Sequence, residues 1–273
     1  MRTSFQTREQ IAQIFYQLAD AWQPGPCRPT RFIAKMKTHW GLIGEFTPYG
    51  LDDQGLERRN PLIVAMGDSV TAGRFETLLL GKQREEYFAT VKQGIMPAQP
   101  LEIADARQSY VEKFRAKLID RFEITVPSVI NAGIAGDTIS GMFRRARRDI
   151  VSHQPDLVLI NGSLNWNEEM GNSEVYAGYL RELVRLVKQE TMADIILLTP
   201  NDQLPDNGLA ERVEKIRAIA AAEQVCLADV YAVWQAYRRQ GYDYAEILAN
   251  GTNHPSTAGH EVYARVLMKL MQV

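Results

Sequence analysis

Five apolar runs, at 62–66, 126–131, 157–161, 195–199 and 225–228, constrain this 273-residue chain more than any other feature. Each is short and rich in Val, Ile and Leu, which reads as a buried strand. The segments between them keep a helical period. Over 106–122, Tyr110, Val111, Phe114, Leu118 and Ile119 fall on one face. Over 174–191, which Ser173 can cap, the apolar face carries Tyr179, Leu180, Leu183, Leu186 and Val187. The segments 208–224 and 260–271 complete the alternation. Buried strands alternating with helices build a parallel sheet covered on both faces. The predicted fold class is therefore α/β, a three-layer α/β/α sandwich around a central parallel sheet of five strands. Ligands bind such sheets at the carboxyl edge, so the residues that end the strands are where chemistry is sought.

The first run leads straight into Gly67-Asp68-Ser69, then Thr71 and Gly73. A strand ending in so small a turn presents a serine hydroxyl at the sheet edge. Asp68 or Ser69 capping a following helix is the alternative reading. No Gly-x-Ser-x-Gly surrounds Ser69, since position 71 is Thr. The nucleophile elbow of the α/β-hydrolases is thus excluded.

Three later stretches carry suitable companions. The second run ends in Gly133-Ile-Ala-Gly136-Asp137-Thr138. There Gly136 lets a backbone N–H approach an anion closely, or Asp137 simply caps the helix that begins near Ile139. The third run ends in Ser163-Leu164-Asn165-Trp166. Asn165 can aim its amide at a developing oxyanion, or bond its own loop. Near the end, Asn250-Gly-Thr-Asn-His254-Pro255 places a histidine before a proline, hence on extended chain. His153 reads as a surface residue at a helix end, His39 as structural, and His260 as packing or capping. Only His254 is set to act as a base.

Together these four blocks resemble the SGNH or GDSL hydrolase superfamily (GDSL-like lipases, acylhydrolases and esterases). Gly67-Asp68-Ser69-Val70 matches its nucleophile block, with Val in place of Leu. Gly136 matches the family's oxyanion glycine, Asn165 its oxyanion asparagine and His254, followed by Pro255-Ser256, its base. The resemblance covers roughly 61–273. It implies the flavodoxin-like version of the sandwich, a serine nucleophile Ser69, a base His254, and an oxyanion hole of Ser69, Gly136 and Asn165. It also implies a small-molecule ester substrate, with no cofactor and no metal.

One departure matters. The family's acid lies three residues before the histidine, and here that residue is Gly251. Its neighbour Asn250 can accept a hydrogen bond from the imidazole Nδ1–H through its carbonyl oxygen but brings no charge. In the serine proteases the equivalent Asp-to-Asn change lowers kcat by about 10⁴. The expectation is a Ser–His dyad oriented by Asn250 or a main-chain carbonyl. Asp229 and Asp243 are near in sequence, but no spacing assigns either of them.

Composition sets the outer limits. With 45% apolar and 23% charged residues and a net charge of −2, nothing argues for nucleic acid or an anionic membrane as partner. The one basic cluster, Arg144-Arg145-Ala146-Arg147-Arg148, reads as a solvated helix face. Cys27 and Cys226 have no metal-ligand spacing, and a disulfide is not implied. No secretory leader or membrane span is read, so the expected location is cytoplasmic. Oligomeric state is left open.

Two segments exceed the minimal plan. Residues 1–60 read as a helical and irregular extension packed on the hydrolase domain at 61–273. Residues 74–105, leaving from beside Ser69, read as a lid or pocket wall with apolar content. The leading function is a serine esterase or acylhydrolase acting on a small or medium acyl ester, among them a carbohydrate O-acetyl ester. Sugar stacking or acyl packing on Trp166, Tyr87 and Phe88 suits either. The alternatives are an acyltransferase using the same Ser–His site, or a non-catalytic ester- or carbohydrate-binding protein on a degenerate scaffold.

Overall fold

The five apolar runs form the five strands of one parallel sheet. The computed structural model describes residues 7–38, 60–77, 79, 81–95, 97–98 and 102–272. The chain opens with α1 (Arg8–Ala21) and α2 (Thr30–Met36), and enters the sheet at β1 (Leu62–Gly67), followed by the single turn α3 (Ser69–Ala72). An antiparallel pair, β2 (Arg74–Thr77) and β3 (Glu102–Ala104), brackets α4 (Lys82–Lys92). The alternation continues through α5 (Tyr110–Phe122), β4 (Ser128–Gly133), α6 (Ile139–Asp149), β5 (Leu157–Asn161), α7 (Ser173–Glu190) and β6 (Asp194–Leu198). It closes with α8 (Leu209–Ala222), β7 (Cys226–Ala228), α9 (Val230–Arg239) and α10 (Thr257–Leu270).

The sheet order is β4-β1-β5-β6-β7, with every pairing parallel. Because β1 lies between β4 and β5, the strand order reverses there, and this switch point opens a crevice at the carboxyl edge. Register aligns the strand ends, with Gly67 opposite both Gly133 and Asn161. Loops far apart in sequence therefore leave the sheet side by side.

Alternation along β1 divides the core in two. Ile63 and Ala65 join α1, α5, α9 and α10 on one face, while Val64 and Met66 join α6 and α7 on the other. Several boundaries differ from the sequence reading for local reasons. β4 starts at Ser128, because Pro127 has no N–H and Val126 is exposed. Asn172, rather than Ser173, caps α7 by accepting the N–H groups of Glu174 and Val175. Helix α9 was not anticipated, although Val230, Tyr231, Val233, Trp234 and Tyr237 lie on its buried side.

The segment before the sheet is tied down at both of its helices. Phe15 of α1 meets Trp234 edge-on at 5.0 Å and Tyr237 at 5.3 Å. The backbone N–H of Phe32 in α2 donates to the Asp194 carboxylate, and Lys35 pairs with Asp156. Both aspartates sit where strands begin, so α2 docks at the edge of the sheet opposite Ser69. Between the helices, Cys27 forms a disulfide with Cys226 of β7. This corrects the expectation that none is implied. The partners lie 199 residues apart, a separation that no motif marks. Disulfides of this kind persist mainly in oxidising compartments. No helix among the described residues is long and apolar enough to cross a membrane.

Candidate active site

The turn after β1 does both things its sequence allowed. Asp68 caps α3, its Oδ1 accepting the Val70 N–H at 3.0 Å, and Ser69 opens the helical turn. A Cβ at Gly67 would come within 1.9 Å of Thr71 Oγ1, so only glycine lets the chain fold back this tightly. Ser69 and His254, 185 residues apart, are both buried, with Ser69 Oγ 2.9 Å from His254 Nε2. That distance is within reach for direct proton transfer.

His254 sits in a loop closed on itself and clamped from outside. The Ala249 N–H donates to the His254 carbonyl at 2.8 Å, and the Ser256 N–H to that of Ile247 at 2.9 Å. From the loop after β6, Asn201 Nδ2 donates to the Asn253 carbonyl and the Leu204 N–H to that of Thr252. Asn250 holds His254 differently from the expectation. Its Oδ1 accepts the backbone N–H groups of Thr252, Asn253 and His254, and its amide donates to Asn253 Oδ1. Asn250 thus fixes the backbone that carries the histidine, because an asparagine carbonyl two residues before a turn competes for those N–H groups first. Gly251 has φ +67°. Restoring the family's acid there would place a side chain in the left-handed region that glycine adopts without strain.

Asp68 is fully buried, and its Oδ2 accepts no hydrogen bond from a described residue. Burial pushes its carboxyl up to about 7, against the Val70 N–H and the charge of His254, which lower it, while Asp137 raises it further. The buried hydroxyls of Tyr110, Tyr176 and Tyr263 are likewise pushed up by burial, with the charge of Asp68 adding to each. Thr71 Oγ1 lies 2.9 Å from the Tyr110 hydroxyl, which supports the turn from below.

Gly136 lies in the turn between β4 and α6. Among the described residues its N–H has no acceptor, while the neighbouring Asp137 N–H bonds back to the Ile134 carbonyl. Thr138, not Asp137, caps α6 by accepting the Gly141 N–H. The Asp137 carboxylate instead takes the Thr138 N–H and Arg145. Asn165 reaches across from the loop after β5, its Nδ2 donating to the Asp137 carbonyl at 3.0 Å. The two stretches are therefore joined directly.

Other expectations resolve by burial. Trp166 is only 3% exposed, its ring against Tyr176 and its Nε1 donating to the Gly171 carbonyl. It is core, and cannot stack on a sugar. Tyr87 and Phe88 belong to α4, where Phe88 is 41% exposed. His260 is buried, its Nδ1 accepting the Tyr110 N–H at the start of α5. His153 is exposed, and His39 lies outside the described residues. Asp229 caps α9 and pairs with Arg217, while Asp243 is exposed. Sequence reasoning passed over Asn201, although Pro200-Asn201-Asp202 follows β6 at the informative edge. It also passed over Arg212, whose Nε donates to the Ser163 carbonyl at 3.0 Å beside Asn165. Among the described residues no group of His, Cys, Asp and Glu is arranged to hold a metal.

Comparison with known proteins follows the same lines. The GDSL-like Lipase/Acylhydrolase family matches residues 65–262. An acetylxylan esterase of Geobacillus stearothermophilus is 28% identical over 156 residues, spanning 52% of this chain and 70% of that protein. Among solved structures, an α/β hydrolase enzyme from the metagenome of Lake Arreo in Spain has a TM-score of 0.58 at 24% identity, over 77% of this chain and 94% of that one. The lipase/acylhydrolase of Enterococcus faecalis has a TM-score of 0.54 at 22% identity, over 77% and 95%. At such identities the structures speak for the fold, and the family match for kinship. The family match over residues 65–262, carried on five parallel strands with the switch point at β1, places the chain in the GDSL-like lipase/acylhydrolase family.

Proposed function

We propose that the protein is a serine esterase that releases small acyl groups, acetyl foremost, from a carbohydrate or similar alcohol through an acyl-enzyme. The observation that carries this reading is the buried pair of Ser69 Oγ and His254 Nε2 at 2.9 Å. His254 takes the proton as Ser69 Oγ attacks the ester carbonyl carbon, forming a tetrahedral intermediate. The backbone N–H groups of Ser69 and Gly136 and the Asn165 amide hold its oxyanion. Asn165 gives one N–H to Asp137 and keeps its second for this purpose. The intermediate collapses with loss of the alcohol, which His254 protonates. Water activated by the same histidine then attacks the acyl-enzyme and frees the acid.

The kinship with an acetylxylan esterase supports the acetyl group and the sugar side of the proposal. The test is labelling with a fluorophosphonate, paired with p-nitrophenyl esters of increasing chain length. Ser69 should be modified stoichiometrically, and turnover should peak at acetate or propionate. A peak at octanoate or longer would replace the small acyl group with a lipid-like one. No labelling would point to a binding protein on a hydrolase scaffold.

Asn165→Ala is expected to leave folding intact and to lower kcat by about 10²–10³, or ~2.7–4 kcal/mol, the usual effect of deleting one oxyanion donor. KM should move far less, because the oxyanion exists only beyond the ground state. Steady-state kinetics separate the two. An equal loss in KM and kcat would make Asn165 a contact of the bound substrate.

A further inference from the structure

The basic run on α6 reads in sequence as a solvated face, and Arg144, Arg147 and Arg148 are exposed. Arg145 is different, with a side chain only 10% exposed. Its guanidinium reaches inward to four acceptors. Nε donates to Asp137 Oδ2 at 2.7 Å, and Nη1 to the Ala132 carbonyl and to Asp149 Oδ2, each at 2.8 Å. Nη2 donates to the Gly67 carbonyl at 3.0 Å.

These acceptors belong to the parts that must be kept in register. Gly67 ends β1 two residues before Ser69. Ala132 lies near the end of β4, and Asp137 follows Gly136 directly. Through the Asp137 carbonyl the same linkage continues to Asn165 Nδ2. The Gly67 carbonyl also accepts the Ile134 N–H at 3.0 Å, so Arg145 reinforces an existing bridge between the two turns. One planar fork thus spans the serine turn, the glycine turn and, at one remove, the asparagine loop. A lysine ammonium is a point charge and cannot satisfy the same spread of acceptors.

We propose that Arg145 is a positioning residue that sets the distance between Ser69 and the donors at Gly136 and Asn165. This rests on the catalytic reading of the site given above. Oxyanion donors act only if they are already in place when charge develops. A displacement of about 1 Å can cost about 10²-fold in rate. Arg145 acts through these donors, and does not itself touch the substrate.

The test compares Arg145→Lys, which removes the fork, with Asp137→Asn, which removes its charged partner at constant size. Both are measured alone and combined with Asn165→Ala. Arg145→Lys is expected to lower kcat about 10–100-fold with KM changed less than about threefold. Affinity for a trifluoromethyl ketone, which adds to the serine as a tetrahedral oxyanion, should fall in step with kcat. Affinity for the product alcohol should not. In the Asn165→Ala background the lysine substitution should cost less than in the native one, because a donor it positions is already gone. Fully additive losses, or a ketone affinity unmoved while kcat falls, would make Arg145 a scaffold residue and overturn the proposal. If Arg145→Lys does not fold, Asp137→Asn carries the same comparison. Should Asn165→Ala impair turnover while both other variants keep native kcat and ketone affinity, only the role of Arg145 fails. Should Ser69→Ala and Asn165→Ala both retain native turnover, the catalytic reading fails with it.

Discussion

Replacing Ser69 with alanine is expected to lower kcat by at least about 10⁴, and His254→Ala by a similar factor, with the double variant no worse than either alone. In the proposed mechanism the three values coincide, because the two side chains perform one step together. Without the hydroxyl there is nothing to acylate. Without the imidazole the hydroxyl keeps its proton and is a poor nucleophile. Residual catalysis then comes from bound water and the oxyanion donors, which do not depend on either side chain. Both residues are buried at the sheet edge, so thermal melting must accompany the kinetics to show that the fold survives. Turnover of p-nitrophenyl acetate by Ser69→Ala at a tenth of the native rate would remove Ser69 from the mechanism. Losses that multiply in the double variant would mean that the two act in separate steps.

The second large effect is one of stability. Asp68→Asn is expected to stabilise the protein at pH 8 and to change little near pH 4. Burial raises the folded carboxyl from 3.8 to about 7, so between these values the folded state holds a proton that the unfolded chain has lost. Stability therefore falls as pH rises from about 4 to about 7, and stays at the lower level above that. Three units correspond to about 4 kcal/mol, an upper bound on the penalty of ionising Asp68 in place. Asparagine retains the oxygen that caps α3 through the Val70 N–H and has no charge to bury. Urea midpoints of the two proteins, taken across this range, should converge at the acid end and separate toward pH 8. A difference that is constant with pH would mean that Asp68 does not carry the linkage.

Most of the sheet was legible because a buried parallel strand must be an uninterrupted apolar run, and its end must turn at the informative edge. Ser69, Gly136 and Asn165 become candidates because each stands just past such a run. His254 becomes a candidate because the proline that follows it implies extended chain. Long-range pairings were less legible. Neither Cys27 nor Cys226 carries a local mark of its partner, and residue types alone assign Asn250 to the ring as readily as to the backbone. Arg145 was misread with its neighbours, because a run of like charges conceals the one position whose helical phase turns it toward Ile139, Met142 and Ala146. That phase was present in the sequence.

The family match begins at residue 65, yet Phe15 lies in the same apolar cluster as Ile63 and Trp234. The disulfide adds a covalent bond to that continuity. It closes a loop of chain containing α2 through α8 and the whole of the Ser69, Gly136 and Asn165 blocks, leaving only that of His254 outside. A protease that cuts once within this loop, for instance between Lys82 and Lys92, leaves one covalent molecule rather than two. The two fragments stay joined through Cys27 and Cys226 and part on a gel only after reduction.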